Sequence, residues 1–373
     1  MTGLIHWIEN EQAFSARWQS ESATPAPRRV MVADDRMTAD DAWRLACSGT
    51  ALLWRGDFQN ARQLLQAMGR RIERKGRKKG STPLEAFNLH RLAQSQRART
   101  LGMLLIPFQP GHLIPLRRAP DVVQACTQAY GPNNDTYVCS LRELLGLIGA
   151  YEWRKNGVEI SALQARIHPH YGVFSPLRGE YLDLIENAPL PATDLAYDIG
   201  TGTGVIAALL AKRGIKHIIG TDTNPRALAC AEDNLQKLGY ADSIKLENTD
   251  LFPAGQAGLI VCNPPWLPAR PSSPIENAVY DPDSQMLMGF LNGLAAHLAP
   301  SGEGWLILSD LAEHLGLRSR EALLKAIDAA GLTVLQRLDI RPRHPKTNDA
   351  DDPLYEARKQ EVTSLWRLGA RPT

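Results

Sequence analysis

The chain has 373 residues, enough for two domains that each bury a core, with 44% hydrophobic and 22% charged residues. Its 42 Lys and Arg stand against 40 Asp and Glu, a net charge of +2, which excludes a protein that coats polyanions with its whole surface. No apolar run is long enough to span a bilayer, and the acidic and polar groups of MTGLIHWIENEQAF come too early for a secretory signal, so a cytoplasmic protein is expected. The five cysteines fall in no C-x-x-C pair and their odd number argues against a disulfide framework; Cys230, in a helical pattern, and Cys262, at a strand end, read as buried apolar residues.

Residues 1–37, punctuated by Pro25 and Pro27 with Arg28 and Arg29, read as a loop between two weak helices. Ala51–Trp54 reads as a strand, and Asp57 as the cap of a helix with Phe58, Ala61, Leu65, Met68 and Ile72 at helical spacing. That helix runs into Arg70, Arg71, Arg74, Lys75, Arg77, Lys78 and Lys79, with Glu73 the opposing charge. A second helical segment over 84–100 carries Arg91, Arg97 and Arg99. The excess reads either as a solvated helix end or as a surface for phosphates. Residues 104–118 are extended and proline-punctuated. Ser140 with Glu143 is a capping-box pattern for a helix over 141–155, with Gly157 just past its end.

His168 and His170 have no Cys or carboxylate cluster beside them, and are expected to be structural or substrate-facing rather than metal ligands; no metal is expected. An amphipathic helix (Tyr181, Leu182, Ile185) feeds the stretch LAYDIGTGTG, residues 195–204, which reads as strand, tight glycine loop, helix. Gly200, Gly202 and Gly204 let the backbone take positive φ or lie against a ligand, and the helix start offers unpaired N–H groups. The dinucleotide pattern G-x-G-x-x-G needs a glycine at 205, where Val205 stands. His217–Thr221 reads as a second strand ending on Asp222, whose carboxylate can accept two ribose hydroxyls. Asn224 and Pro225 open a helix that Gly239 closes, and Ile244–Glu247 leads to Asp250. The apolar run Leu259–Cys262 ends on Asn263-Pro264-Pro265-Trp266. A proline-rich loop over 267–283, a helix over 285–298, a glycine turn at Gly302 and Gly304 and a strand at 305–308 come next. A helix over 318–330 and strands at 333–338 and 364–368 complete the alternation of an α/β sheet.

The D-x-G-x-G-x-G loop, the acidic residue ending the next strand and the NPPW tetrad resemble class I S-adenosylmethionine (SAM)-dependent methyltransferases of the NPPY-type small-domain family, over residues 165–373. That family methylates glutamine amides and nucleobases. The resemblance implies a Rossmann-like seven-stranded methyltransferase sheet with its last strand antiparallel, over 161–373, beside a separate, mainly helical α+β N-terminal domain over 1–160 that selects the substrate. It implies SAM as cofactor, held by Phe174, Asp198, Gly200, Thr201, Gly202, Gly204, Asp222, Asp250 and Asn263, with Ser175 as a further contact. Asn263, Pro264, Pro265 and Trp266 would form the catalytic tetrad: the Asn263 side-chain oxygen and the Pro264 carbonyl each accept an N–H of a planar nitrogen, and Trp266 stacks on it. Because of the basic run, a macromolecular substrate is expected with RNA ahead of protein. The alternatives are a glutamine N5-methyltransferase of a translation factor or ribosomal protein, and a methyltransferase-fold module that binds SAM or RNA without turnover.

Overall fold

The structure is a computed structural model that describes residues 3–371 apart from 75–79, 177–178, 272–275, 277, 344–348 and 350. The chain divides into two units, Met1–Lys79 with Asn88–Glu152, and Gly80–Phe87 with Trp153–Thr373. Among the described residues no helix is long and apolar enough to cross a membrane.

In the first unit the elements are β1 (Leu4–Glu9), β2 (Gln12–Trp18), β3 (Arg29–Ala33), α1 (Ala39–Cys47), β4 (Thr50–Trp54), α2 (Phe58–Arg74), α3 (Pro83–Leu101, whose start belongs to the second unit), β5 (Leu104–Phe108), α4 (Val123–Tyr130), β6 (Tyr137–Ser140) and α5 (Leu141–Asn156). The strands form a six-stranded sheet ordered β1-β2-β6-β5-β4-β3. The loop expected around Pro25 and Pro27 is present over 19–28, but strands rather than weak helices flank it. Ile5 and Trp7 face inward while Leu4, His6 and Ile8 face out, which is strand periodicity. The hairpin between β1 and β2 turns at Asn10 and Glu11, both at positive φ (49° and 63°), the backbone of a two-residue hairpin turn without its usual glycine. Ile5, Trp7, Ala16, Trp18, Ala51, Leu53, Leu105 and Val138 make one core of this unit.

Asp57 caps α2 as expected, taking the Gln59 N–H at 2.9 Å. Its other oxygen accepts from Arg118 (2.7 Å) and Arg117 (2.9 Å), and the Arg118 guanidinium holds the carboxyl well below the usual range. The basic run is partly paired: Arg71 meets Asp40, and Glu73 meets Arg97 at 2.9 Å, while Lys75 to Lys79 lie outside the described residues.

In the second unit β7 (Val158–Ile160) and β8 (Ala165–Ile167) form a small hairpin ahead of α6 (Glu180–Asn187). Then come β9 (Leu195–Ile199), α7 (Val205–Lys212), β10 (His217–Asp222), α8 (Pro225–Leu238), β11 (Ile244–Asn248), β12 (Ala257–Cys262), α9 (Gln285–His297), β13 (Leu298–Ser309), α10 (Leu311–His314), α11 (Arg320–Ala329), β14 (Leu332–Ile340), α12 (Tyr355–Gln360) and β15 (Thr363–Ala370). They build a seven-stranded sheet ordered β11-β10-β9-β12-β13-β15-β14, parallel except for β15, which is antiparallel to both of its neighbours. Alternate residues of each strand feed two cores. Ala196, Ile218, Leu259 and Val261 pack under α6, α7 and α8, and Tyr197, Ile199, Ile260 and Cys262 under α9 and α11. The glycines expected as a turn lie inside β13. Ala257 pairs with Leu298 and Leu259 with Glu303, so the strand bulges there, with Ser301 at φ 62°.

Candidate active site

The carboxyl ends of three central strands are level, since Thr221 of β10 pairs with Ile199 of β9 and Ile199 with Cys262 of β12. Three segments therefore meet at one edge of the sheet: the glycine loop after β9, Asp222 closing β10, and Asn263–Trp266 after β12. The chain leaves β9 to build β10 and β11 on one side and returns to start β12 on the other, and crevices in α/β sheets open at such a reversal. Asn248 of β11 pairs with Asp222, so Asp250 stands exposed just beyond that edge. The Thr221 hydroxyl donates to the Leu251 carbonyl at 2.6 Å and holds the turn there.

The glycine loop needs its glycines for two different reasons. At Gly204, with φ 80°, a Cβ would also sit 3.2 Å from the Ala231 methyl, because α7 starts in contact with α8. At Gly200 (φ 72°) a Cβ would lie 2.6 Å from the Met286 terminal methyl, so the thioether of α9 rests on the loop. Asp222 ties this loop to the next strand: one oxygen accepts the Gly202 N–H (3.1 Å) and the other the Asn224 N–H (2.9 Å). Burial raises its pKa, against the pull of these N–H donors.

Asp198, at the end of β9, is fully buried. Its Oδ2 accepts from the Thr201 hydroxyl (2.7 Å) and the Ala207 N–H (3.1 Å), while Oδ1 has no hydrogen-bond partner among the described residues. Burial pushes the carboxyl up to about 6, with the Asp222 charge adding to the rise. The Ser175 hydroxyl, in the segment before α6, is likewise buried without a partner among the described residues. Two orphaned oxygens, one of them on a carboxylate, fit a ligand with cationic and hydrogen-bonding groups such as SAM. Phe174 beside Ser175 is 38% exposed.

The segment leading to Phe174 is fastened to α8. The Asn234 amide accepts the His168 N–H at 2.7 Å and donates to the Thr203 carbonyl of the glycine loop at 3.0 Å. His170 meets Asp233 at 2.7 Å, the Arg226 guanidinium lies 5.7 Å from the Tyr171 ring centre, and Val173 packs on Ala227 and Cys230. Asn234 was missed from sequence; its signal is an asparagine on the helix face otherwise formed by Ala227, Cys230 and Ala231.

Asn263 is held through its side-chain oxygen: the Trp266 indole N–H donates to Oδ1 at 2.9 Å. Pro264 is buried and Trp266 half-buried. The loop after the tetrad folds back so that the Asp281 N–H donates to the Leu267 carbonyl (2.9 Å), and the Asp281 carboxylate caps α9 through Met286 and Leu287. Asp198, Thr201, Gly200, Gly202, Gly204, Asp222, Asp250 and the tetrad thus share one edge, with Phe174 on the latched segment. Among the described residues no three His, Cys, Asp or Glu stand together as metal ligands.

The family model of the methyltransferase small domain matches residues 164–320. A release factor glutamine methyltransferase of Cereibacter sphaeroides is 34% identical over 183 residues, 44% of this chain and 63% of that one. A Methanocaldococcus jannaschii protein provisionally named a protein N5-glutamine methyltransferase is 34% identical over 122 residues, 32% of this chain and 59% of its own. A ribosomal protein L11 methyltransferase of Vibrio vulnificus is 34% identical over 104 residues, 27% of this chain and 35% of that one. The chain spans less than two thirds of the length of each of these relatives. A solved ribosomal protein L11 methylase of Lactobacillus delbrueckii subsp. bulgaricus superposes with a TM-score of 0.39 at 18% identity, covering 56% of this chain and 87% of its own. The glycine loop, the acidic strand end and the NPPW tetrad all lie inside the matched segment, which is similar to the class I SAM-dependent methyltransferases.

Proposed function

We propose that this protein is a SAM-dependent N-methyltransferase that modifies the side-chain amide of a glutamine in a protein. The observation that carries the reading is the position of Asn263-Pro264-Pro265-Trp266 directly after β12, level with the glycine loop after β9. Bound SAM supplies an electrophilic methyl group. An amide nitrogen is a poor nucleophile because its lone pair is delocalised into the carbonyl, so the protein's task is orientation. Asn263 Oδ1 and the Pro264 carbonyl each accept one N–H of the substrate, which leaves the lone pair directed at the methyl. Gly200, Thr201, Gly202 and Gly204 hold the cofactor along their backbone, Asp222 and Asp250 accept its hydroxyl and amino groups, Asp198 faces its positive charge, and Phe174 covers it.

The tetrad serves a nucleobase amine equally well, so the choice of substrate rests elsewhere. From sequence the basic run puts RNA first. The names of the relatives, release factor and N5-glutamine methyltransferases, favour protein instead. Within the described part of that run Arg71 is paired with Asp40.

The test is transfer of labelled methyl from SAM into extract of cells lacking this protein, followed by nuclease or protease. Label released by protease and recovered as methylglutamine is the expected result. Label released by nuclease would overturn the glutamine reading in favour of RNA, and no label with intact SAM binding would leave a module without turnover. Asn263→Ala should bind SAM nearly as the wild type does and lose at least about a hundredfold in rate.

A further inference from the structure

Asparagine can present either end of its amide to a neighbour. The last side-chain torsion is broad and roughly two-fold, so the backbone does not decide which end faces the crevice. For methyl transfer the choice matters chemically. Oδ1 accepts a substrate N–H and leaves the nitrogen lone pair free, whereas Nδ2 would donate into that lone pair and quench the nucleophile.

One hydrogen bond sets the orientation of this amide. The Trp266 indole N–H only donates, and it sits 2.9 Å from Oδ1. With the amide reversed, two N–H groups would face each other and both would lose their partner in a half-buried site. The intervening Pro264 and Pro265 have fixed φ, which returns the indole to the Asn263 side. The ring itself is wedged where the two cores of the sheet meet, packed against both. A phenylalanine or tyrosine ring in that place carries no donor at the indole nitrogen.

We propose that Trp266 is a positioning residue for methyl transfer: its indole N–H keeps the oxygen of Asn263, rather than the amide nitrogen, available to the substrate. The inference rests on the methyl-transfer reading of Asn263. One lone pair of Oδ1 is occupied by the indole and one remains for the substrate, so the second N–H of the substrate must go to another acceptor, the role given to the Pro264 carbonyl.

The test uses the full chain as wild type, Trp266→Phe, Asn263→Ala and the double variant. SAM affinity is measured by calorimetry. Labelled-methyl transfer into extract of cells lacking the protein is titrated in extract concentration, which separates limiting rate from half-saturation. Trp266→Phe is expected to bind SAM and half-saturate within about twofold of wild type, with a limiting rate lower by about tenfold, the cost of one lost orienting hydrogen bond. In the Asn263→Ala background the same change should remove nothing further from the residual rate. The indole N–H resonance, identified by its loss in Trp266→Phe, should shift in Asn263→Ala. A Trp266→Phe enzyme with wild-type limiting rate beside an inactive Asn263→Ala overturns the positioning role and leaves that of Asn263. So does a loss that appears only as weaker SAM binding and lower melting temperature, or an indole resonance that ignores Asn263→Ala. Full activity in Asn263→Ala, or no label from the wild type, refutes the underlying methyl-transfer reading and this inference with it.

Discussion

If the buried carboxylate of Asp198 faces bound SAM, SAM affinity should be a function of pH. Its folded pKa of about 6 exceeds the ordinary value of 3.8 because burial disfavours the charge, and the Thr201 and Ala207 hydrogen bonds only partly restore it. The sign comes from linkage. Between pH 3.8 and about 6 the folded protein retains a proton that the unfolded chain has released, so stability falls as pH rises through that window, by about 3 kcal/mol in all. If the orphaned Oδ1 faces the positive charge of SAM, binding requires the ionised form. At pH 5 only about a tenth of the sites are ionised, so the dissociation constant should be about tenfold larger than its plateau above pH 7. Titration calorimetry at pH 6 in buffers of different ionisation enthalpy should register release of about half a proton per SAM. Asp198→Asn should bind weakly and without this pH dependence. A dissociation constant flat from pH 5 to 7.5, or proton uptake on binding, would refute the pairing.

Asp222→Asn leaves one oxygen for either the Gly202 or the Asn224 N–H and turns the other into a donor; if Asp222 also accepts from the cofactor, SAM binding should weaken by about 10- to 100-fold in calorimetry. Unchanged affinity would remove Asp222 from the site. Gly204→Ala places a Cβ at φ 80° and 3.2 Å from Ala231, and should lower unfolding free energy by about 1–3 kcal/mol in urea. Asn234→Leu leaves the His168 N–H and the Thr203 carbonyl without partners and should cost about 2–4 kcal/mol in the same assay, with weaker SAM binding.

The second unit was legible because its signals are local. A strand, a glycine loop and a helix announce one another within ten residues, and strand ends at Asp222 and Cys262 are marked by the polar or proline residues that stop them. The sheet order then comes from right-handed crossovers and a terminal hairpin. The first unit was less legible for an equally local reason. Asn10–Glu11 makes a hairpin turn without glycine, and the prolines at 25 and 27 mask the approach to β3. Within the site, the residues missed act across the fold. Met286 reaches Gly200 from a helix that starts after a long loop, and Asn234 looks from sequence like one polar position on a helix. Trp266 was read for the face of its ring, while the contact the structure presents is made by its edge.

The two bonds of Asn234 have a kinetic consequence. One amide grips both the floor of the crevice at Thr203 and the incoming chain at His168, so these two walls breathe as one body. Val173 adds packing on Ala227 and Cys230 to the same latch. Loss of Asn234 would therefore free both walls at once rather than either alone.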